Sequence, residues 1–106
     1  MKSICFIGIN NDALKRIPDD DVLKELSVQV GNSAMQLGVV LGLNMVDIEE
    51  SFAKYPKDMF CRTFDVLKKW KNSGKVKPTN CILMRAMQVC DSRGLMFLTG
   101  KYKCID

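Results

Sequence analysis

The chain has 106 residues, 47% of them hydrophobic, and carries a formal net charge of +4 without a single histidine. That length supports one domain around one core, and its abundant Leu, Ile, Val and Phe exclude the disordered class. The missing imidazole excludes Ser-His and Cys-His nucleophile pairs.

Residues 1–18 open on Ile4-Cys5-Phe6-Ile7-Gly8-Ile9, a run too short to span a bilayer and without the cleavage site of a signal peptide. Leaving it exposed would create an apolar patch, so it is expected to pack on the domain. Asn10-Asn11-Asp12 reads as a turn and Ile17-Pro18 as a boundary. A first helix follows, capped by Asp19 or Asp20, with Val22, Leu23, Leu26 and Val30 at helical spacing and Gly31 as its stop. Asn32 or Ser33 caps a second helix, where Met35, Leu37, Val40 and Leu41 are the apolar positions and Gly42 ends the run. Asn44 opens a short third helix that turns Ile48 and Phe52 inward and Asp47, Glu49 and Glu50 outward.

Pro56 closes that segment and Asp58 caps a fourth helix. Its stripe is Phe60, Phe64, Leu67 and Trp70, while Arg62, Asp65, Lys68, Lys69 and Lys71 take the other faces. Asn72-Ser73-Gly74 stops it, and Thr79 caps a fifth helix carrying Ile82, Leu83, Met84, Met87 and Cys90. Arg93-Gly94 is expected to break the fifth helix, leaving residues 95–98 for a short sixth. Six helices on short loops, with no strand alternation after residue 18, predict an all-α antiparallel bundle.

Five cysteines (Cys5, Cys61, Cys81, Cys90, Cys104) form no Cys-x-x-Cys pair. An odd, scattered set without a secretory signal reads as reduced thiols in a cytoplasmic protein, and its spacing offers no zinc site. Gly31, Gly38 and Gly42 lack the strand–loop–helix context and the Gly-Lys-Ser/Thr ending of a phosphate loop. No metal, cofactor or enzymatic activity is expected.

Leu37 and Leu41-Gly42-Leu43 are followed by Asp47-Ile48, then Pro56 and Asp58. Leu67-Lys68-Lys69-Trp70-Lys71 with Gly74 comes next, then Leu83 and Ala86-Met87. That order resembles the death domain of apoptotic and innate-immune adaptors and receptors, over residues 19–98. The resemblance implies a six-helix antiparallel Greek-key bundle, the death fold. Residues 1–18 would be an N-terminal extension, 19–100 the domain and 101–106 a tail. Two positions depart from the family: Ala34 stands where many members have tryptophan, and Gly38 where they have alanine. The caspase-recruitment, death-effector and pyrin domains share the bundle; the Arg-x-Asp-Leu signature of death-effector domains is absent, Asp91-Ser92-Arg93-Gly94 standing near its place.

Charge is divided along the chain. Residues 19–58 hold eight acids and three bases, net −5; residues 59–106 hold ten bases and three acids, net +7; residues 1–18 add +2. An acidic and a basic face on one body allow heterologous docking that need not close, steered by charge and weakened by salt. The resemblance implies such asymmetric contacts with another death-domain protein or with a second copy. The candidate residues are then Asp47, Glu49 and Glu50 on the acidic side and Arg62, Lys68, Lys69, Lys71, Lys75 and Lys77 on the basic side. The competing reading is a small basic helical domain that binds nucleic acid through Lys68, Lys69, Lys71, Lys75 and Lys77. The acidic half and the lack of aromatics interleaved with those lysines argue against it.

Overall fold

Most helix starts are set by one side chain accepting from a free backbone N–H of the first turn. In the computed structural model, which describes residues 8–103, Asn10 accepts from the N–H of Asp12 at 2.8 Å and opens α1 (Asn11–Lys15). Asp19 accepts from Val22 at 3.0 Å and opens α2 (Asp20–Gln29). A 3-10 turn (Gly31–Ser33) leads into α3 (Ala34–Val40), and Asn44 precedes α4 (Met45–Lys54) without a side-chain cap. Asp58, Thr79 and Asp91 cap α5 (Met59–Lys71), α6 (Asn80–Cys90) and α7 (Ser92–Tyr102). The described residues are thus all-helical, with seven α-helices; their β pairing is one isolated antiparallel bridge, Ile9 to Lys103.

Leu23, Leu26, Leu37, Leu67, Trp70, Leu83, Met87 and Leu98 form the centre of the core. Around it α5 packs on α2, α3 and α4, while α6 packs on α1, α3 and α7, and α7 closes against α2. Fully burying a side chain of this size contributes about 1.5–3 kcal/mol, so the core outweighs any helix propensity. Gly42, at φ +89°, ends α3: its N–H reaches the carbonyl of Val39 and that of Leu43 reaches Gly38, both at 3.0 Å. This is the left-handed stop that glycine adopts without steric cost. Among the described residues no helix is long and apolar enough to cross a membrane.

Several expectations are corrected. Asn10 caps a short helix where a turn was expected, and that helix packs on α6 through buried Ala13 and partly buried Leu14. Buried Asn80 secures it, donating its side-chain amide to the Ala13 carbonyl and its backbone N–H to Arg16. Ile4, Cys5, Phe6 and Ile7 lie outside the described residues, as does Cys104; Ile9 packs against the core. Arg93-Gly94 breaks nothing. Asp91 ends α6 and caps α7, which runs eleven residues straight through Gly94.

The buried stripe of α5 is Thr63, Val66, Leu67 and Trp70. Phe60 is 39% exposed and stacks on partly buried Phe64 at its edge, because the helix turns a narrower face to α2 and α4 than its aromatics suggest. Met35 and Val40 are likewise exposed on α3, whose inward face is Ala34, Leu37 and Gly38.

Candidate functional site

Because α4 packs on α5 and α2 on α5, the acids of the first half of the chain meet the bases of the second at the surface. Lys69 stands at the centre of this zone. Its ammonium donates to the Asp47 carbonyl at 2.8 Å and to Glu50 Oε1 at 3.0 Å, with Asp65 Oδ2 at 3.4 Å. Partial burial acts against its charge, but the Glu50 and Asp65 carboxylates more than offset this and hold its pKa above the ordinary lysine value. Asp65 also accepts from the buried Ser51 hydroxyl at 2.6 Å, which ties α4 to α5 from inside.

A second clamp joins the end of α5 to the start of α2. Lys68 lies 2.9 Å and Lys71 3.1 Å from the two oxygens of Asp20. Hydrogen bonds from Lys68 first and Lys71 second hold the Asp20 carboxyl below its usual range. Each partner sits at the helix end its charge suits, acid in a first turn and base in a last turn.

The candidate residues therefore divide by what they touch. Glu50, Lys68, Lys69 and Lys71 are held in pairs within the chain. The Lys75 ammonium reaches the Gly42 carbonyl at 3.2 Å, across the corner between α3 and α4. The Arg62 guanidinium lies over the Phe52 ring, 4.3 Å from its centroid, and its Nε is buried without a partner. Asp47 lines a groove with Lys69, while exposed Glu49 and Lys77 make no ion pair among the described residues. The structure thus joins Asp20, Glu50, Asp65 and the α5 lysines in one interleaved zone, where the sequence suggested separate acidic and basic faces.

That groove, about 520 Å³, runs between the start of α4 and the end of α5. Leu43 and Asn44 line one wall; Asp65, Lys68, Lys69, Asn72, Ser73 and Lys75 line the other. Two smaller hollows of about 320 and 310 Å³ flank exposed Arg93, lined by Val28, Met59 and Phe60 on one side and Met96 and Phe97 on the other. Sequence reasoning missed this second surface, having placed Phe60 in the core and a helix break at Arg93-Gly94.

A hydrogen bond with Asp58 pushes the Cys61 thiol up, and burial does the same to Cys90, so both are held away from the nucleophilic thiolate. Cys61, Cys81 and Cys90 are free. No protein-family model matches the chain, and no curated protein matches it.

Proposed function

We propose that the chain is a death-domain-type interaction module, without catalytic activity, that recruits another death-fold protein or a second copy of itself into a cytoplasmic signalling oligomer of the apoptotic or innate-immune kind. The observation that carries this reading is the partnering of helices distant in sequence. α2 packs on α5 and α7, and α3 on α6, around a core of Leu37, Leu67, Trp70, Leu83 and Met87. Several of the residues that carry the resemblance are thus core residues, and the six longer helices suit a Greek-key bundle to which α1 adds one turn.

Docking proceeds through α4 and the rim of α5. Glu49 is the acidic contact best placed for a partner, since it is exposed and pairs with no base among the described residues; exposed Val46 is nearby on the same helix. Asp47 and Glu50 flank it in sequence, and Lys77 is the equivalent on the basic side, with Lys75 in the same loop and Arg62 at the other end of α5. Lys68, Lys69 and Lys71 join such a contact only by exchanging an internal carboxylate for an external one. These lysines are partly buried, and the exchange leaves each of them a carboxylate partner.

Light scattering across a salt series, with a pull-down of death-domain adaptors, tests the reading. Association should weaken as salt rises, and Glu49→Lys should reduce it at least tenfold without lowering the melting temperature, a loss of about 1.4 kcal/mol. A chain that stays monomeric at every salt concentration and captures no death-domain protein refutes the reading. The nucleic-acid alternative is weakened by the carboxylates 2.9–3.1 Å from Lys68, Lys69 and Lys71, which a phosphate would have to displace. A salt-dependent shift of labelled duplex DNA would revive it.

A further inference from the structure

The loop leaving α5 sets one serine between lysines. Ser73 has Lys71 two residues before it and Lys75 two residues after, with Lys68 and Lys69 in the preceding turn and Lys77 beyond. Residues 72–77 are exposed, and no helix resumes until Asn80. Gly74, at φ +75°, turns the chain immediately after the serine. The Ser73 backbone N–H closes the end of α5 on the Trp70 carbonyl at 3.1 Å, while its hydroxyl makes no hydrogen bond among the described residues. Ser73 also lines the groove that holds Lys68, Lys69 and Lys75.

We propose that Ser73 is a phosphorylation site for a basophilic serine/threonine kinase, and that the lysines of this groove receive the phosphate. A kinase of that class reads basic side chains on both sides of the acceptor with carboxylates along its cleft, and an exposed loop can enter such a cleft where a helix cannot. In the transfer the Ser73 Oγ bonds to the γ-phosphorus of magnesium-bound ATP as the bond from that phosphorus to the β–γ bridging oxygen breaks. ADP leaves with the electron pair, and the hydroxyl proton passes to the kinase's catalytic carboxylate.

The product carries a charge of about −1.5 to −2 at pH 7. The end of α5 opposes it with about half a unit of negative charge, and Asp47 and Asp65 also face the groove. Against these stand Lys75, bonded to the Gly42 carbonyl, and Lys68 and Lys69, which meet the phosphate by leaving Asp20 and Glu50. The phosphate competes with the Gly42 carbonyl for Lys75 and with Glu50 and Asp65 for Lys69, changing the charge of the surface just described. Ser73 and its lysines are a substrate whatever partner the module binds.

The folded chain is incubated with ATP and the catalytic domain of protein kinase C, then mapped by mass spectrometry. A single phosphate on Ser73 is expected, absent in Ser73→Ala, with Lys71→Ala and Lys75→Ala each lowering kcat/KM by about fivefold, the equivalent of one exposed ion pair. A phosphate on another residue, or a rate indifferent to both lysines, overturns the site. Phosphorus NMR reads the groove: the second phosphate pKa, ordinarily about 6, should be lower in the folded protein than in the same protein unfolded in urea. Equal values overturn the claim that the lysines hold it.

Discussion

Two glycines in α7 receive the same substitution with opposite results. A Cβ added at Gly94 would lie 2.7 Å from Val30 Cγ1 and would run onto the sulfur of Met87. Carbon atoms pack at about 3.5–4.0 Å, so the overlap with Val30 is roughly an ångström. Val30 and Met87 are both fully buried, and a β-branched valine has few other rotamers to adopt. Overpacking of this kind costs about 1–3 kcal/mol, and an unyielding site belongs in the upper half of that range. Alanine's better helix propensity returns about 1 kcal/mol, which leaves Gly94→Ala about 1–2 kcal/mol less stable. At Gly100, in the same helix, nothing lies within 4 Å of the added carbon. Only the propensity gain remains there, about 0.5–1 kcal/mol. Urea melts followed by Trp70 fluorescence separate the two: with a slope of about 1–2 kcal/mol per molar, Gly94→Ala should lower the midpoint by about 1 M while Gly100→Ala raises it slightly. Equal or greater stability of Gly94→Ala at an unchanged slope would refute the close packing of α7 on α6 and the end of α2.

Asp91 accepts from Arg93 and Gly94 N–H groups and from the Ser33 hydroxyl at 2.7 Å, so it caps α7 and ties that corner to the one before α3. Asp91→Ala should cost about 2–4 kcal/mol in a urea melt, a lost cap plus a lost charge-assisted hydrogen bond, and Ser33→Ala clearly less. The Asp20 clamp gives a pH dependence: its folded pKa is lowered, so its stabilisation is complete well above pH 4 and is lost as pH falls below about 4 through the folded value. Asp20→Asn should therefore flatten the loss of stability in that window, and an unchanged profile would count against the pairing with Lys68 and Lys71. Gly42→Ala, forced to φ +89° with open space around it, should lose about 1–2 kcal/mol from backbone strain alone, read in the same melts.

The sequence carried the fold wherever local chemistry and burial agree. Asp58 and Thr79, and Asp19 of the Asp19–Asp20 pair, cap their helices as expected, whereas Ser33 turns its hydroxyl to Asp91 and Asn44 makes no side-chain cap bond. Gly42 was legible for the same reason: stop signal and left-handed geometry coincide. Gly94 was not, since a glycine that ends a helix and one that admits a neighbour look identical without the neighbour. Phe60 misled differently. Periodicity locates a face to within about one residue, and the true stripe, Thr63, Val66, Leu67 and Trp70, includes a threonine whose hydroxyl is satisfied by the Met59 carbonyl. A hydrophobicity count passes over such a residue and favours the aromatic beside it.

The candidate site was legible as an inventory and not as an arrangement. Counting charge along the chain names charged residues but not their arrangement, because separation along the chain does not imply separation in space. Packing α5 between α2 and α4 brings the two halves together, and Lys68, Lys69 and Lys71 settle on Asp20, Glu50 and Asp65. Part of the apparent polarity is therefore neutralised inside one molecule, where Asp20, Glu25 and Glu50 meet Lys68, Lys71, Lys101 and Lys69. Among the described residues, exposed Glu49 and Lys77 stay outside these pairs. That makes single reversals more informative than wholesale ones. Glu50→Lys disturbs the Lys69 network as well as the surface charge, whereas Glu49→Lys alters the surface charge and leaves the internal pairs as they stand.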